Sequence, residues 1–262
     1  MHYSFTFNSL DIHVPWINWH ISLQSPYPAI LACGSVLIYT LLIYIILPSM
    51  RPISDKGKLK LQYYAKIHFC LLCFYSAICC FSTLYYLFLS GEIHNLQAYL
   101  CNPLPEWLRL LSLSFILSKI WEWGDTAIDI WKGRSVNQIG FLHCYHHATT
   151  FFLFLLVENF PGTEKSGMLF NGFVHTLMYY HYAFRLPKVM RPLITAAQIV
   201  QLVTVTYIWH ISPSSCPAYI DFPKNHLIEF LLPYGMVPVY TVFFIKFFIE
   251  SYIIGKKNKK KD

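Results

Sequence analysis

AILACGSVLIYTLLIYIIL, residues 29–47, and HFCLLCFYSAICCFSTLYYLFL, residues 68–89, decide the fold class. Neither run contains Asp, Glu, Lys or Arg, and each matches the about 20 helical residues needed to cross the hydrocarbon core of a bilayer. Working outward, further apolar runs lie at Leu108–Trp131, Gly140–Val157, Gly167–Phe184, Pro192–His210 and Leu227–Ile254. The third run (Leu108–Trp131) carries Lys119, Glu122, Asp125 and Asp129, and the last holds Pro233, Gly235 and Pro238, which predict a kink. Over the whole chain 55% of residues are hydrophobic and 13% charged, against about a quarter charged in soluble domains. The reading is an all-α polytopic membrane protein, a bundle of seven transmembrane helices. It forms a single domain over residues 1–262, with a basic tail at 256–262.

The charges orient this bundle. Arg51, Lys56, Lys58, Lys60 and Lys66 follow the first span, Lys132 and Arg134 the third, and Arg185, Lys188 and Arg191 the fifth. Lys256, Lys257, Lys259, Lys260 and Lys261 follow the last, whereas the alternate loops hold only Lys165 and Lys224. Basic loops stay cytosolic, so the N-terminus is expected in the lumen and the C-terminus in the cytosol. The net charge of +7 thus belongs to one membrane face and implies no nucleic-acid partner. The first fifty residues lack Lys and Arg, which argues against a cleavable signal peptide.

Charge inside a membrane is costly and functional by default. Lys119, Glu122 and Thr126 share one helical face, with Asp125 beside them; the plainer alternative is an ion pair locking two helices. His143, His146 and His147 share a face of the next span. Asn171, His175, Met178 and Tyr182 form a stripe on the fifth, and Thr195, Gln198 and Gln201 one on the sixth. Interhelical polar glue is the competing account of the amides. At about 1.5 Å rise per residue, the histidines of the fourth span lie roughly 5–10 Å below the basic face and His175 about 14 Å. Four helices therefore offer polar groups to one zone.

These motifs resemble those of the ELO family of very-long-chain fatty acid elongases, the 3-oxoacyl-CoA synthases. They are Lys119-x-x-Glu122-x-x-Asp125-Thr126, His143-x-x-His146-His147, Asn171-x-x-x-His175-x-x-Met178-Tyr179 and Thr195-x-x-Gln198-x-x-Gln201. One departure is that His181 stands where the family pattern Met-Tyr-x-Tyr-Tyr has its second Tyr. The resemblance implies condensation of a long-chain acyl-CoA with malonyl-CoA, releasing carbon dioxide and coenzyme A. It implies His146 as acyl acceptor, His175 facing it, and His143 and His147 orienting or exchanging protons. Asn171 would donate to an enolate oxygen, with Lys119, Glu122, Asp125, Thr126, Tyr179, Gln198 and Gln201 supporting the site. Arg134, Arg185 and Lys188 are expected contacts for coenzyme A phosphates. No cofactor and no metal are expected. Expected partners are membrane lipid and the 3-oxoacyl-CoA reductase, dehydratase and enoyl-CoA reductase of the elongation cycle, with a homodimer as a candidate assembly.

A His-x-x-His-His box also serves di-iron desaturases and hydroxylases, but the other nine histidines form no second box. A seven-helix receptor does not require a histidine cluster with Lys, Glu and Asp in the cytosolic half, and in a transporter the intramembrane carboxylates would serve as proton relays. Cys101 and Cys216 fall in the two expected lumenal loops, on the oxidising side, and are expected to pair; Cys70 and Cys73 are expected to pack. The tail Lys259-Lys260-Lys261-Asp262 resembles a dilysine retrieval signal, which points to the endoplasmic reticulum membrane.

Overall fold

A computed structural model of the chain describes residues 2–14, 19–50 and 55–254. Arg51 and the tail 256–262 lie outside the described residues. The first apolar run forms α1 (Tyr27–Leu41), which continues through a π-turn to Ser49. Ala32, Ser35, Tyr39 and Ile43 are buried, while Leu37, Ile38, Leu41 and Ile45 are exposed. One helical stripe packs and the rest stays apolar, as expected of a helix facing lipid. The second run lies in α2 (Asp55–Leu89). Its buried residues Leu61, Ala65, Phe69, Leu72, Ser76, Cys79, Thr83 and Leu87 recur at three- and four-residue steps along one seam.

Two short pieces follow, α3 (Leu96–Cys101) and α4 (Glu106–Trp121). The sequence predicts one helix over Leu108–Trp131, but the chain breaks at Glu122 and resumes as α5 (Trp123–Trp131). Gly124 lies beside this break. A Cβ there would stand 2.6 Å from the His68 ring, so only glycine lets α2 approach so closely. Next come α6 (Phe141–Val157), α7 (Pro161–Ser166) and a π-turn over Gly167–Asn171 leading into α8 (Gly172–Phe184). Gly172 brings α8 against α2, since a Cβ would meet the Ser76 carbonyl at 2.9 Å. The last two long helices are α9 (Met190–Ser215) and α10 (Leu227–Phe248), the latter extended by a π-turn to Ile254 and continuous through Pro233 and Pro238.

Four helical stretches combine the length and hydropathy to cross a membrane: Tyr27–Ser49, Lys56–Leu89, Met190–Ser215 and Leu227–Ile254. The chain is an α-helical, multi-pass membrane protein on that composition. Helix α6 is apolar but has 17 residues, about 26 Å of helix against a core of about 30 Å.

The apolar runs predict no element before Ala29, yet three strands between His2 and Gln24 pair as an antiparallel meander. Its strands are β1 (His2–Phe5), β2 (Ser9–Val14) and β3 (Trp19–Gln24). Leu10, Ile12 and Leu23 on its inner face join Phe7 in the core built by α4, α6 and α10. The Phe7 amide donates to Glu229 on α10 at 3.1 Å. At this same end a disulfide joins Cys101 to Cys216, with Cα atoms 5.4 Å apart. Buried Lys165 donates to Glu92 at 2.6 Å, and Tyr86 donates to the other oxygen of that carboxylate.

Candidate active site

The break at Glu122 places two carboxylates inside the bundle, and each is held by neighbours from other helices. Lys119 is 1% exposed. Its ammonium donates to Glu122 Oε1 at 2.7 Å and to Asn171 Oδ1 at 2.8 Å, and lies over the rings of Phe115 and Phe154. Because an ammonium only donates, this contact fixes the Asn171 amide with its oxygen towards Lys119 and its NH₂ away. His175 Nδ1 lies 3.3 Å from the same Glu122 oxygen.

Asp125 is the second anchor. Tyr179 donates to it at 2.8 Å, His68 Nε2 lies 2.8 Å from its other oxygen, and His147 Nε2 stands 4.0 Å away. Thr126 bridges Tyr39, at 2.8 Å, and His143 Nε2, at 2.9 Å. The indole of Trp123 donates to the His147 carbonyl at 2.9 Å and ties α5 to α6. The imidazoles of His143 and His147 are 4.4 Å apart, and those of His146 and His147 are 5.4 Å apart. Among the described residues, His146 has no carboxylate or hydroxyl partner. Its ring rests 5.2 Å from that of Tyr240.

Two chambers meet here. The larger, about 1000 Å³, is lined by His143, His146, His147, Asn171, His175, Gln198 and Gln201. Towards its mouth it carries Lys132, Arg134, Arg185, Arg191 and Lys246. The smaller, about 60 Å³, runs the other way between Leu153, Phe154, Val157, Val205, Trp209 and Val237. His146, Asn171, Gln201 and Leu202 line both.

The structure thus gathers His147, His175, Asn171, Lys119, Glu122, Asp125, Thr126 and Tyr179, all buried, with His143 and His146, both half-buried, into one constellation. Thr195, Gln198 and Gln201 face its larger chamber, and Gln198 approaches the Met178 sulfur at 3.8 Å. Arg134 and Arg185 reach the chamber; Lys188 does not line it. Arg134 is also paired with Asp129 and bonded to the Gln138 carbonyl. His181, the departure from the motif, lines the same chamber. Sequence reasoning missed His68, Tyr39 and Tyr240. For His68 the available signal was a titratable side chain at the edge of an otherwise charge-free run.

The fold and site define a class: a helical membrane protein whose histidine–carboxylate cluster joins a basic chamber to an apolar one. Residues 23–261 match the family model described as ELO, the GNS1/SUR4 family, and the chain belongs to that family. It is 27% identical over 255 residues to fatty acid elongase A of Dictyostelium discoideum, covering 90% of this chain and 86% of that protein. It is 34% identical over 157 residues to very long chain fatty acid elongase 2 of Mus musculus (56% of this chain, 50% of that protein). Long chain fatty acid elongase 1 of Caenorhabditis elegans matches at 31% over 161 residues (56% and 52%). The chain thus spans about half the length of the mouse and worm relatives.

Proposed function

We propose that this protein condenses a long-chain acyl-CoA with malonyl-CoA to a 3-oxoacyl-CoA two carbons longer, the first step of fatty acid elongation. The observation that carries the reading is that His146 and Asn171 line both chambers. A thioester with coenzyme A in the basic chamber and the first carbons of its chain in the apolar one would hold its carbonyl at that junction.

In this reading the imidazole nitrogen of His146 attacks the thioester carbonyl, the C–S bond breaks, and coenzyme A leaves as thiolate. Malonyl-CoA then loses carbon dioxide, and the resulting enolate carbon attacks the acyl-imidazole. A C–C bond forms, the C–N bond breaks, and His146 is regenerated. The Asn171 NH₂, oriented by Lys119, donates to the enolate oxygen. Glu122 faces His175 at 3.3 Å, Thr126 positions His143 by a hydrogen bond, and Asp125 stands 4.0 Å from His147. Lys132, Arg134, Arg185, Arg191 and Lys246 receive the phosphates, in place of the expected Lys188. Burial between helices excludes the water that would hydrolyse an acyl-imidazole.

The same reading includes seven crossings, a lumenal N-terminus and a cytosolic C-terminus. Arg134 precedes α6 and Arg185 follows α8, yet both line one chamber; this supports α6 and α8 as a descending and a returning pass. Residence in the endoplasmic reticulum and work alongside the reductases and dehydratase that process a 3-oxoacyl-CoA complete the proposal. The test is mass spectrometry of products formed by purified protein from malonyl-CoA and acyl-CoAs of graded length. Two-carbon-longer 3-oxoacyl products are expected; turnover without malonyl-CoA would overturn the reaction.

A further inference from the structure

Five hydroxyl side chains line the apolar chamber: Thr150, Thr163, Thr206, Tyr234 and Tyr240. Four of them are occupied. Thr163 donates to the Phe160 carbonyl and Thr206 to that of Leu202, while Tyr234 pairs with His210 and Tyr240 with Thr149. Thr150 is 2% exposed, and among the described residues its Oγ1 has no hydrogen-bond partner. A helical threonine can satisfy itself by donating to the carbonyl four residues back, as Thr149, Thr176 and Thr206 do. Thr150 makes no such bond to the His146 carbonyl and lines the chamber instead.

Its position gives that hydroxyl a use. Thr150 stands four residues beyond His146 on α6, hence on the same face and about 6 Å further along the axis. Helical Cα–Cβ bonds tilt towards the N-terminus, so its side chain leans back towards His146. His146, Thr150 and Asn171 line the apolar chamber together. A buried hydroxyl without a partner is a cost unless a ligand brings an acceptor. The first carbons of an acyl chain bring none, whereas the thioester carbonyl at the junction brings one. Condensation also sets two carbonyl oxygens there at once, that of the acyl group and that of the enolate. With the Asn171 NH₂ turned to the second, the first needs its own donor.

We propose that Thr150 is a further catalytic residue, whose hydroxyl donates a hydrogen bond to the acyl carbonyl oxygen and stabilises the charge that develops there. The inference rests on the condensation proposed above. Charge reaches that oxygen twice, when His146 attacks the thioester and when the enolate carbon attacks the acyl-imidazole. Each time it returns to carbon as the C–S or C–N bond breaks, and the proton stays on Thr150. A donor aimed where charge develops lowers the barrier more than it tightens substrate binding.

The test follows single-turnover release of coenzyme A from a long-chain acyl-CoA, without malonyl-CoA, by the full chain in detergent. Thr150→Val keeps the shape and removes the hydroxyl; release should slow on the order of 10²–10³-fold, and Thr150→Ser should restore most of the rate. Because the hydroxyl has no partner in the protein, Thr150→Val should unfold no earlier than the parent. A second measurement needs no turnover: infrared spectra of acyl-CoA carrying a ¹³C carbonyl, bound to His146→Ala and to His146→Ala/Thr150→Val. The labelled C=O stretch should lie at lower frequency in the first, since accepting a hydrogen bond weakens that bond. Parental release by Thr150→Val, an earlier unfolding midpoint, or equal stretching frequencies would each overturn the proposal. A parent that releases no coenzyme A would sink the acyl-imidazole step proposed above, and the infrared comparison would still decide the Thr150 contact.

Discussion

Replacing Lys119 by Met removes one ammonium from the centre of the site while keeping most of the side-chain volume between Phe115 and Phe154. In the parent, this ammonium stands 2.7 Å from Glu122 and 2.8 Å from Asn171. At 2.7 Å and an effective dielectric of about 20, the attraction between unit charges is about 6 kcal/mol before desolvation. Glu122 is 2% exposed, so it cannot regain water when its cation is lost. Breaking such a pair from one side typically costs about 3–5 kcal/mol, whereas replacing both partners by uncharged groups of similar size is often near neutral. Lys119→Met should therefore destabilise the protein by about 3–5 kcal/mol in reversible SDS titrations of mixed micelles. Lys119→Met/Glu122→Gln should recover most of that loss without recovering condensation, because His175 and Asn171 lose the groups that orient them. A single-variant loss below about 1 kcal/mol would show the pair to be effectively solvated. A double variant with parental activity would refute the positioning role.

Other regions make separate predictions. Trp209 closes the far part of the apolar chamber, so Trp209→Ala should shift products towards longer chains in the same mass-spectrometric assay; unchanged lengths would show that the chain ends elsewhere. Lys165 is fully buried against Glu92 at 2.6 Å, and Lys165→Ala should cost about 3–5 kcal/mol by the same titration. Glu158 lies just past the fourth apolar run, where burial, and then neighbouring Glu164, push its carboxyl well above the usual range. The folded chain thus binds a proton that the unfolded chain releases. Stability should rise as pH falls from above its raised pKa towards the ordinary carboxylate range, and Glu158→Gln should flatten that slope.

The site was more legible than the scaffold, for a physical reason. Helical spacing converts Lys119-x-x-Glu122 and His143-x-x-His146-His147 directly into shared faces, and charge in an apolar run marks them as costly. The break at Glu122 was hidden because carboxylates lower hydropathy whether they lie mid-helix or at a turn. His68 was hidden because its partner, Asp125, is 57 positions away and no spacing rule links them. Arg185 and Lys188 read alike in sequence. Arg185 ends α8 in the left-handed region, with φ of 55°, and the chain beyond it turns so that Lys188 is not among the chamber's lining residues. The meander carried a strand signal in Leu10, Ile12, Ile21 and Leu23 alternating with polar residues, but its register exists only in the folded sheet.

The central claim is that His146, at the meeting of the two chambers, accepts the acyl group. Intact-mass analysis after exposure to acyl-CoA alone, followed by peptide mapping, tests it most directly. The account predicts one acyl group per chain, mapped to His146, absent in His146→Ala and discharged on adding malonyl-CoA, with coenzyme A released before malonyl-CoA is supplied. An adduct on Cys144, or one that persists in His146→Ala, would contradict it.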